Sequence, residues 1–204
     1  MCLYARYLLP RLTHLAMDRK LLLPYRQRVI GGAVGRVLEI GIGSGLNLPL
    51  YGSAARAVIG IEPSPELLRM ARRRAAGISV PVEFLETSAE AIPLDAGSVD
   101  AVVTTWTLCT IPDAPRALAE VRRVLKPGGA LLFVEHGRAP EPGVARWQDR
   151  LDPRWSRFAG GSHLNRKIDD LVSGSGFRID RLEHGRMPGP RTHGFLYEGR
   201  ARPR

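Results

Sequence analysis

Eleven residues, Val37-Leu38-Glu39-Ile40-Gly41-Ile42-Gly43-Ser44-Gly45-Leu46-Asn47, constrain the fold of this chain more than any others. A short apolar run leads into an acidic residue, then glycines at every second position, then a helical pattern. That order predicts a buried β-strand ending in a tight turn at a helix start. Glycine suits such a turn because a Cβ would fill the space into which a ligand must come close to the backbone. The spacing discriminates further. A dinucleotide fingerprint puts its third glycine in the sixth position, where this chain has Leu46; its third glycine, Gly45, comes one residue early. The Lys-Ser or Lys-Thr that would end a Walker loop is also missing. The loop is therefore expected to hold a nucleoside without a pyrophosphate.

A second apolar run, Ala57-Val58-Ile59-Gly60-Ile61, ends in Glu62 and Pro63. A carboxylate at the tip of a second strand can accept hydrogen bonds from both hydroxyls of a ribose and would repel a 2′-phosphate. Pro63 offers a rigid apolar surface for an adenine face. Further along, apolar strands and amphipathic helices alternate, which predicts an α/β fold with a doubly wound, mostly parallel sheet. Helices are expected from Leu46 to about Ala54, shortened or broken by Pro49 and Gly52, and from Ser64 as N-cap to about Ala76. Others should start at Asp113 and span Asn165 to Ser175. Strands are expected at Val80–Leu85, Val99–Thr104, Ala130–Glu135, Phe177–Glu183 and Phe195–Gly199. Between Gly137 and Gly161 the alternation lapses into a mixture of Pro, Arg and Trp.

Taken in this order, the motifs resemble the class I methyltransferases that use S-adenosylmethionine. The likeness extends over about residues 35 to 136, through Ser88-Ala89-Glu90-Ala91-Ile92-Pro93, Ser98-Val99-Asp100 and Arg123-Val124-Leu125-Lys126-Pro127-Gly128-Gly129. It implies a Rossmann-like fold and S-adenosylmethionine as cofactor. Glu39 would meet the cofactor's ammonium, and Gly41, Gly43 and Gly45 would line its methionine and ribose portions. Glu62 and Pro63 would hold the ribose and adenine, Ser88, Ala89 and Glu90 the adenine edge, and Thr105 the methionine end beside Trp106. A narrower likeness, at Gly45-Leu46-Asn47-Leu48-Pro49, Leu108-Cys109, Glu135-His136 and Leu151-Asp152-Pro153-Arg154-Trp155, is to small methyltransferase-like enzymes that methylate alkyl thiols and to their bacterial relatives. It adds Asn47 to the cofactor set. Animal members of that group carry a longer apolar N-terminal anchor.

Acceptor chemistry is less constrained. His136, expected at the carboxyl end of the fifth strand, is the candidate base for a thiol of pKa roughly 8.5. Cys109 reads as a small buried hydrophobe, since methyl transfer needs no covalent enzyme intermediate. His163, Tyr4, Tyr7 and Tyr25 are candidates for a lid. Sulfur methylation of a small thiol is the leading expectation; N- or O-methylation of a lipid headgroup or small metabolite is the alternative. A non-catalytic nucleoside-binding module and a nucleotide-dependent oxidoreductase are the competing classes, disfavoured by the retained acidic and glycine positions and by the early third glycine.

The chain's 204 residues suit one domain, divided into an N-terminal helical cap (1–34), a cofactor-binding core (35–136) and an acceptor-side insert with the final strands (137–204). Its formal charge of +10 is uneven: seven basic residues against one acidic through Arg36, nine against eleven from Val37 to Gly137, and fourteen against eight beyond. Basic flanks around a near-neutral core suit a small acceptor and peripheral contact with an anionic membrane. No nucleic-acid partner is expected, because the basic residues are scattered and aromatics are few. Two cysteines and no apolar run of membrane-spanning length lead to a cytoplasmic, soluble or peripheral expectation.

Overall fold

The computed structural model describes residues 4–204; Met1, Cys2 and Leu3, the start of the expected cap, lie outside the described residues. Strands β1 (Gly35–Ile40), β2 (Ala55–Ile61), β3 (Val82–Leu85), β4 (Val99–Thr105) and β5 (Leu125–His136) pair in parallel; β6 (Phe177–Arg186) and β7 (Phe195–Pro203) are antiparallel additions. The sheet order is β3-β2-β1-β4-β5-β7-β6, so the chain runs outward from β1 in both directions. Helices α1 (Leu9–Met17), α2 (Leu23–Gly31), α3 (Pro65–Ala75), α4 (Ala114–Val124), α5 (Pro142–Phe158) and α6 (Ile168–Gly174) complete the fold. It is the Rossmann-like α/β architecture expected from the alternating pattern. No helix among the described residues is long and apolar enough to cross a membrane.

Alternation of side chains divides the core into two layers. Leu38, Ile40, Val102 and Phe133 face α4 and α6, while Val37, Val58, Val103 and Val134 face α2 and α3. Helix α4 meets its layer with Ala114, Ala117, Leu118, Val121 and Val124, the i, i+3, i+4 stripe of a half-buried helix. Its N-cap is Asp113, which accepts the Arg116 N–H at 3.0 Å. Ser64 caps α3 in the same way, through the Leu67 N–H at 3.4 Å, with Pro65 at the first position and Arg72, Arg73 and Arg74 in the last turn.

Two expectations are corrected. The helix from Leu46 to about Ala54 is reduced to a single 3-10 turn, Leu48–Leu50, because Pro49 and Gly52 deny it a helical continuation. The stretch read as irregular after Gly137 contains α5, a helix of 17 residues with Pro153 inside it. A proline in a helix interior costs about 3 kcal/mol, but here buried polar contacts on either side outweigh it. Asp152 accepts the Leu164 N–H at 2.6 Å and lies 2.8 Å from His163 Nδ1. Gln148, fully buried, accepts the Ala139 N–H and donates to the carbonyls of Gly137, Leu164 and Thr192. Strands β6 and β7 run longer than their apolar cores suggest, because pairing recruits polar neighbours such as Arg186 and Arg200, while β3 begins at Val82 rather than Val80.

Gln148 thus ties α5 to the end of β5 and to the β6–β7 connection. Gln148→Leu preserves volume and strands several buried backbone groups, so it should destabilise the fold by about 2–4 kcal/mol in denaturant titration. A loss below about 0.5 kcal/mol, the scale of ordinary surface changes, would show that these bonds add nothing net.

Candidate functional site

A cavity of about 300 Å³ opens at the carboxyl ends of β1, β2 and β4, the point where the chain's winding reverses and doubly wound sheets bind ligands. Its floor is the glycine turn after β1. Glu62 and Pro63 follow β2, and Thr105 and Trp106 end β4. Pro10, His14 and Met17 of α1 close it from above, with Ala159 and Gly160 after α5 at the side. A wider, open depression of about 790 Å³ on α5, beside Trp147, Arg146 and Arg150, does not adjoin the strand ends. The strand-end cavity is the candidate site on that ground.

The three turn glycines answer different demands. All have φ between +57° and +76°, a region costly for other residues. A Cβ on Gly41 would collide with Thr107, and one on Gly45 would come within 2.9 Å of Leu48 and 3.1 Å of Ala71. Both are packing constraints. A Cβ on Gly43 would meet nothing nearer than the Gly41 carbonyl at 3.8 Å, and Gly43 lines the cavity. Its missing side chain is open space for a ligand.

Glu39 sits at the centre of a buried network. Asn47 Nδ2 donates to one of its carboxylate oxygens and the Tyr51 hydroxyl to the other, each at 2.8 Å. Asn47 also donates to Thr105 Oγ1 at 3.1 Å and accepts from Arg26 Nη1 at 2.7 Å. Burial pushes Glu39 up to about 7, against the hydrogen bonds that favour its anion. Glu62 accepts from the N–H groups of Gly43 at 3.2 Å and Ser64 at 3.0 Å, one on each oxygen. Each oxygen keeps a further acceptor site, and burial raises its pKa despite those bonds.

Beyond these, the structure separates the expected residues. Glu39, Gly41, Gly43, Asn47, Glu62, Pro63 and Thr105 all line the cavity. Gly45 supports the turn from behind. Ser88, Ala89 and Glu90 do not line it: Ser88 Oγ and Glu90 Oε2 are 3.0 Å apart, and Glu90 accepts the Asp113 N–H at 2.7 Å, bracing the start of α4. His136 is also outside the wall, with Nε2 3.2 Å from Ser162 Oγ. Burial, helped by His193, lowers it to about 4, too weak a base for an ordinary thiol. Its expected role as base is therefore corrected. Cys109 is a buried thiol raised to about 12 by burial, in keeping with a small hydrophobe. Tyr4, Tyr7, Tyr25 and His163 stay out of the cavity; the Tyr4 hydroxyl donates to the Phe158 carbonyl instead, joining the segment before α1 to the end of α5.

Sequence reading missed the groups that α1 and α2 contribute. His14 Nδ1 lies 2.8 Å from Ser44 Oγ, which fastens α1 onto the glycine turn. Arg26 is buried over the Trp106 ring, 5.0 Å from its centroid. Trp106 is the lone described non-glycine residue with positive φ, at 53°, and its buried Nε1 has no partner. Glu135 of β5 holds the turn that carries it, accepting from Thr104 Oγ1 at 2.8 Å and the Thr107 N–H at 3.0 Å. Only the clustering of basic residues before Arg36 hinted at Arg26, and clustering cannot distinguish a buried arginine from a solvated one.

Comparison with known proteins adds to this geometry. Residues 38–133 match a family model described as a methyltransferase domain. The chain is 35% identical over 156 residues to the human thiol S-methyltransferase TMT1A, covering 74% of this chain and 64% of that protein. It is 34% identical over 126 residues to a phosphatidylethanolamine N-methyltransferase of Cereibacter sphaeroides, covering 57% and 62%. The chain thus spans a little under two thirds of the length of the curated relatives it matches. Among solved structures, the S-adenosylmethionine-dependent methyltransferase of Mesorhizobium loti superposes with a TM-score of 0.68 at 20% identity, covering 91% of this chain and 99% of that one.

The Glu39 carboxyl makes stability depend on pH. Its folded pKa is raised to about 7, so the folded chain holds a proton that the unfolded chain releases above the usual carboxylate range. That contribution is full below the unfolded pKa and is lost as pH rises through about 7. With ionisable groups otherwise unchanged, Glu39→Gln should remove on the order of 2–3 kcal/mol of the stability change between pH 5 and 8. Denaturant midpoints across that range measure it; parallel pH profiles for the two proteins would disprove the assignment.

Proposed function

Since the chain belongs to the class I S-adenosylmethionine-dependent methyltransferases, we propose that it transfers a methyl group from that cofactor to the sulfur of a small thiol. The observation that carries the acceptor is the 35% identity to a thiol S-methyltransferase over 74% of this chain. The cavity supports the cofactor: the open space at Gly43, the paired acceptor sites of Glu62 and the buried carboxylate of Glu39 suit a nucleoside with an ammonium-bearing tail. When bound, the cofactor supplies a methyl group already activated on a cationic sulfur.

The chain's own residues then mainly align and enclose. Glu62 would hold the ribose hydroxyls, and Pro63 would face the base. Trp106, Met17 and Pro10 form the apolar wall that keeps water from the acceptor. The imidazole in that wall belongs to His14, not His136: its Nδ1 lies 2.8 Å from Ser44 Oγ and its Nε2 3.8 Å from Asp18 Oδ2, and Nε2 is our candidate to take the thiol proton. The acceptor's proton would pass through His14 to solvent. A thiol suits so sparse a site because its proton leaves at modest cost.

A second reading, methylation of a lipid headgroup, has one observation in its favour. Leu8, Leu12 and Leu15 are exposed along α1 and its start, Phe158 is exposed at the end of α5, and Arg11, Arg19, Lys20, Arg154 and Arg157 are exposed around them. That combination suits peripheral contact with an anionic membrane.

Labelled methyl transfer to a panel of alkyl thiols, amines, phenols and phospholipid vesicles tests both readings. Thiol turnover is expected, with His14→Ala lowering it most at low pH, where the thiolate is scarce. Turnover of phospholipid without thiol turnover would overturn the thiol reading in favour of the second. On the same samples, Glu62→Ala should weaken cofactor binding by ~1.5–3 kcal/mol, the scale of hydrogen bonds to a charged group; unchanged calorimetric affinity would displace the ribose from Glu62.

A further inference from the structure

Arg26 is a cation in the cavity wall, 6% exposed, whose hydrogen bonds all go to neutral oxygens. Nη1 donates to Asn47 Oδ1 at 2.7 Å and to Thr105 Oγ1 at 3.3 Å, and Nη2 to the Met17 carbonyl at 3.4 Å. Three of the five guanidinium N–H donors are used in this way. Among the described residues no carboxylate bonds it directly: Glu39 and Asp18 act on it only electrostatically, and Glu39 already accepts from Asn47 and Tyr51. A buried charge without a directly bonded counter-charge is costly unless a ligand supplies one. Desolvation is also the largest influence on the guanidinium, acting to lower its pKa.

The arrangement is complementary on both sides of one amide. Asn47 accepts from Arg26 through Oδ1 and donates to Glu39 through Nδ2, so a fixed cation and a carboxylate flank it within the same cavity. An α-amino acid carries its ammonium and carboxylate on one carbon, with the opposite charge to each of those two groups. We infer that Arg26 binds the carboxylate of the cofactor's amino-acid end while Glu39 takes the ammonium. This rests on the methyltransferase reading above. Arg26 then acts from α2, outside the matched motif region, and its bond to the Met17 carbonyl joins the same guanidinium to the end of the lid helix.

The purely structural alternative makes Arg26 a brace between α2, Asn47 and the lid. Calorimetric binding of S-adenosylmethionine and of its decarboxylated form, which keeps the sulfonium and the ammonium, separates the two. Wild type should prefer the carboxylated ligand by roughly 30-fold, the worth of one charge-assisted pair. Arg26→Met should reduce that preference, read as the ratio of the two affinities in the same variant, to about threefold or less. Arg26→Lys should retain an intermediate preference, because it keeps the charge and loses the fork. Equal affinity of wild type for both ligands would overturn the assignment without any variant. So would an Arg26→Met protein that weakens both ligands alike or binds with the preference intact. Wild type that binds neither ligand would instead sink the methyltransferase reading itself, and this assignment with it.

Discussion

The site is organised around a carboxylate that has been taken out of water. Glu39 lies near the end of β1, a strand inside the sheet, where a charge can be held only if its surroundings satisfy it. Two donors do so from the turn that follows, Asn47 on one carboxylate oxygen and Tyr51 on the other. Asn47 spends its other end on Arg26, and Arg26 in turn reaches the lid. One buried group therefore sets the conformation of the glycine turn, the seat of α2 and the attachment of α1.

Around that centre, polar residues such as His14, Ser44, Thr105 and Thr110 share the wall with apolar ones such as Pro10, Met17, Leu46 and Trp106. Such a wall fits the proposed methyl transfer, in which the cofactor would bring the chemical activation and the protein would supply orientation. Strain is concentrated just after β4. Trp106 is held in a left-handed conformation beneath Arg26, and Glu135 pins the backbone on either side of it. Such a conformation persists only where its neighbours over-determine it. The carboxylates of Glu39 and Glu135 thus divide the labour, one shaping the cofactor turn and the other the turn after β4.

Much of this was legible in the sequence, and the division between what was and what was not follows the range of the interactions. The glycine turn, the acidic tip of β2 and the Ser64 and Asp113 caps are local patterns whose geometry is encoded within a few residues. Even there, the motif grouped glycines that serve packing, Gly41 and Gly45, with Gly43, which leaves room for a ligand. Arg26 and His14 were hidden among basic and amphipathic neighbours, because only tertiary contact distinguishes them from solvated residues. Helix α5 was missed because Pro153 argues locally against it, while Gln148 and Asp152 argue for it through partners 9 or more positions away. His136 was misassigned for the same reason: position at a strand end is readable from sequence, and desolvation is not.

The antiparallel pair has a consequence for how the molecule assembles. Strand β6 precedes β7 in the chain but reaches the sheet only through it, since β7 lies between β5 and β6. The outermost strand is therefore made before its sole partner, and β5 keeps an open hydrogen-bonding edge until β7 threads into place. During that interval Leu131, Phe133 and Val134, all destined for the interior, border an unpaired edge. That edge is a template for pairing with another chain, so the period of greatest exposure to aggregation falls at the final step of sheet completion.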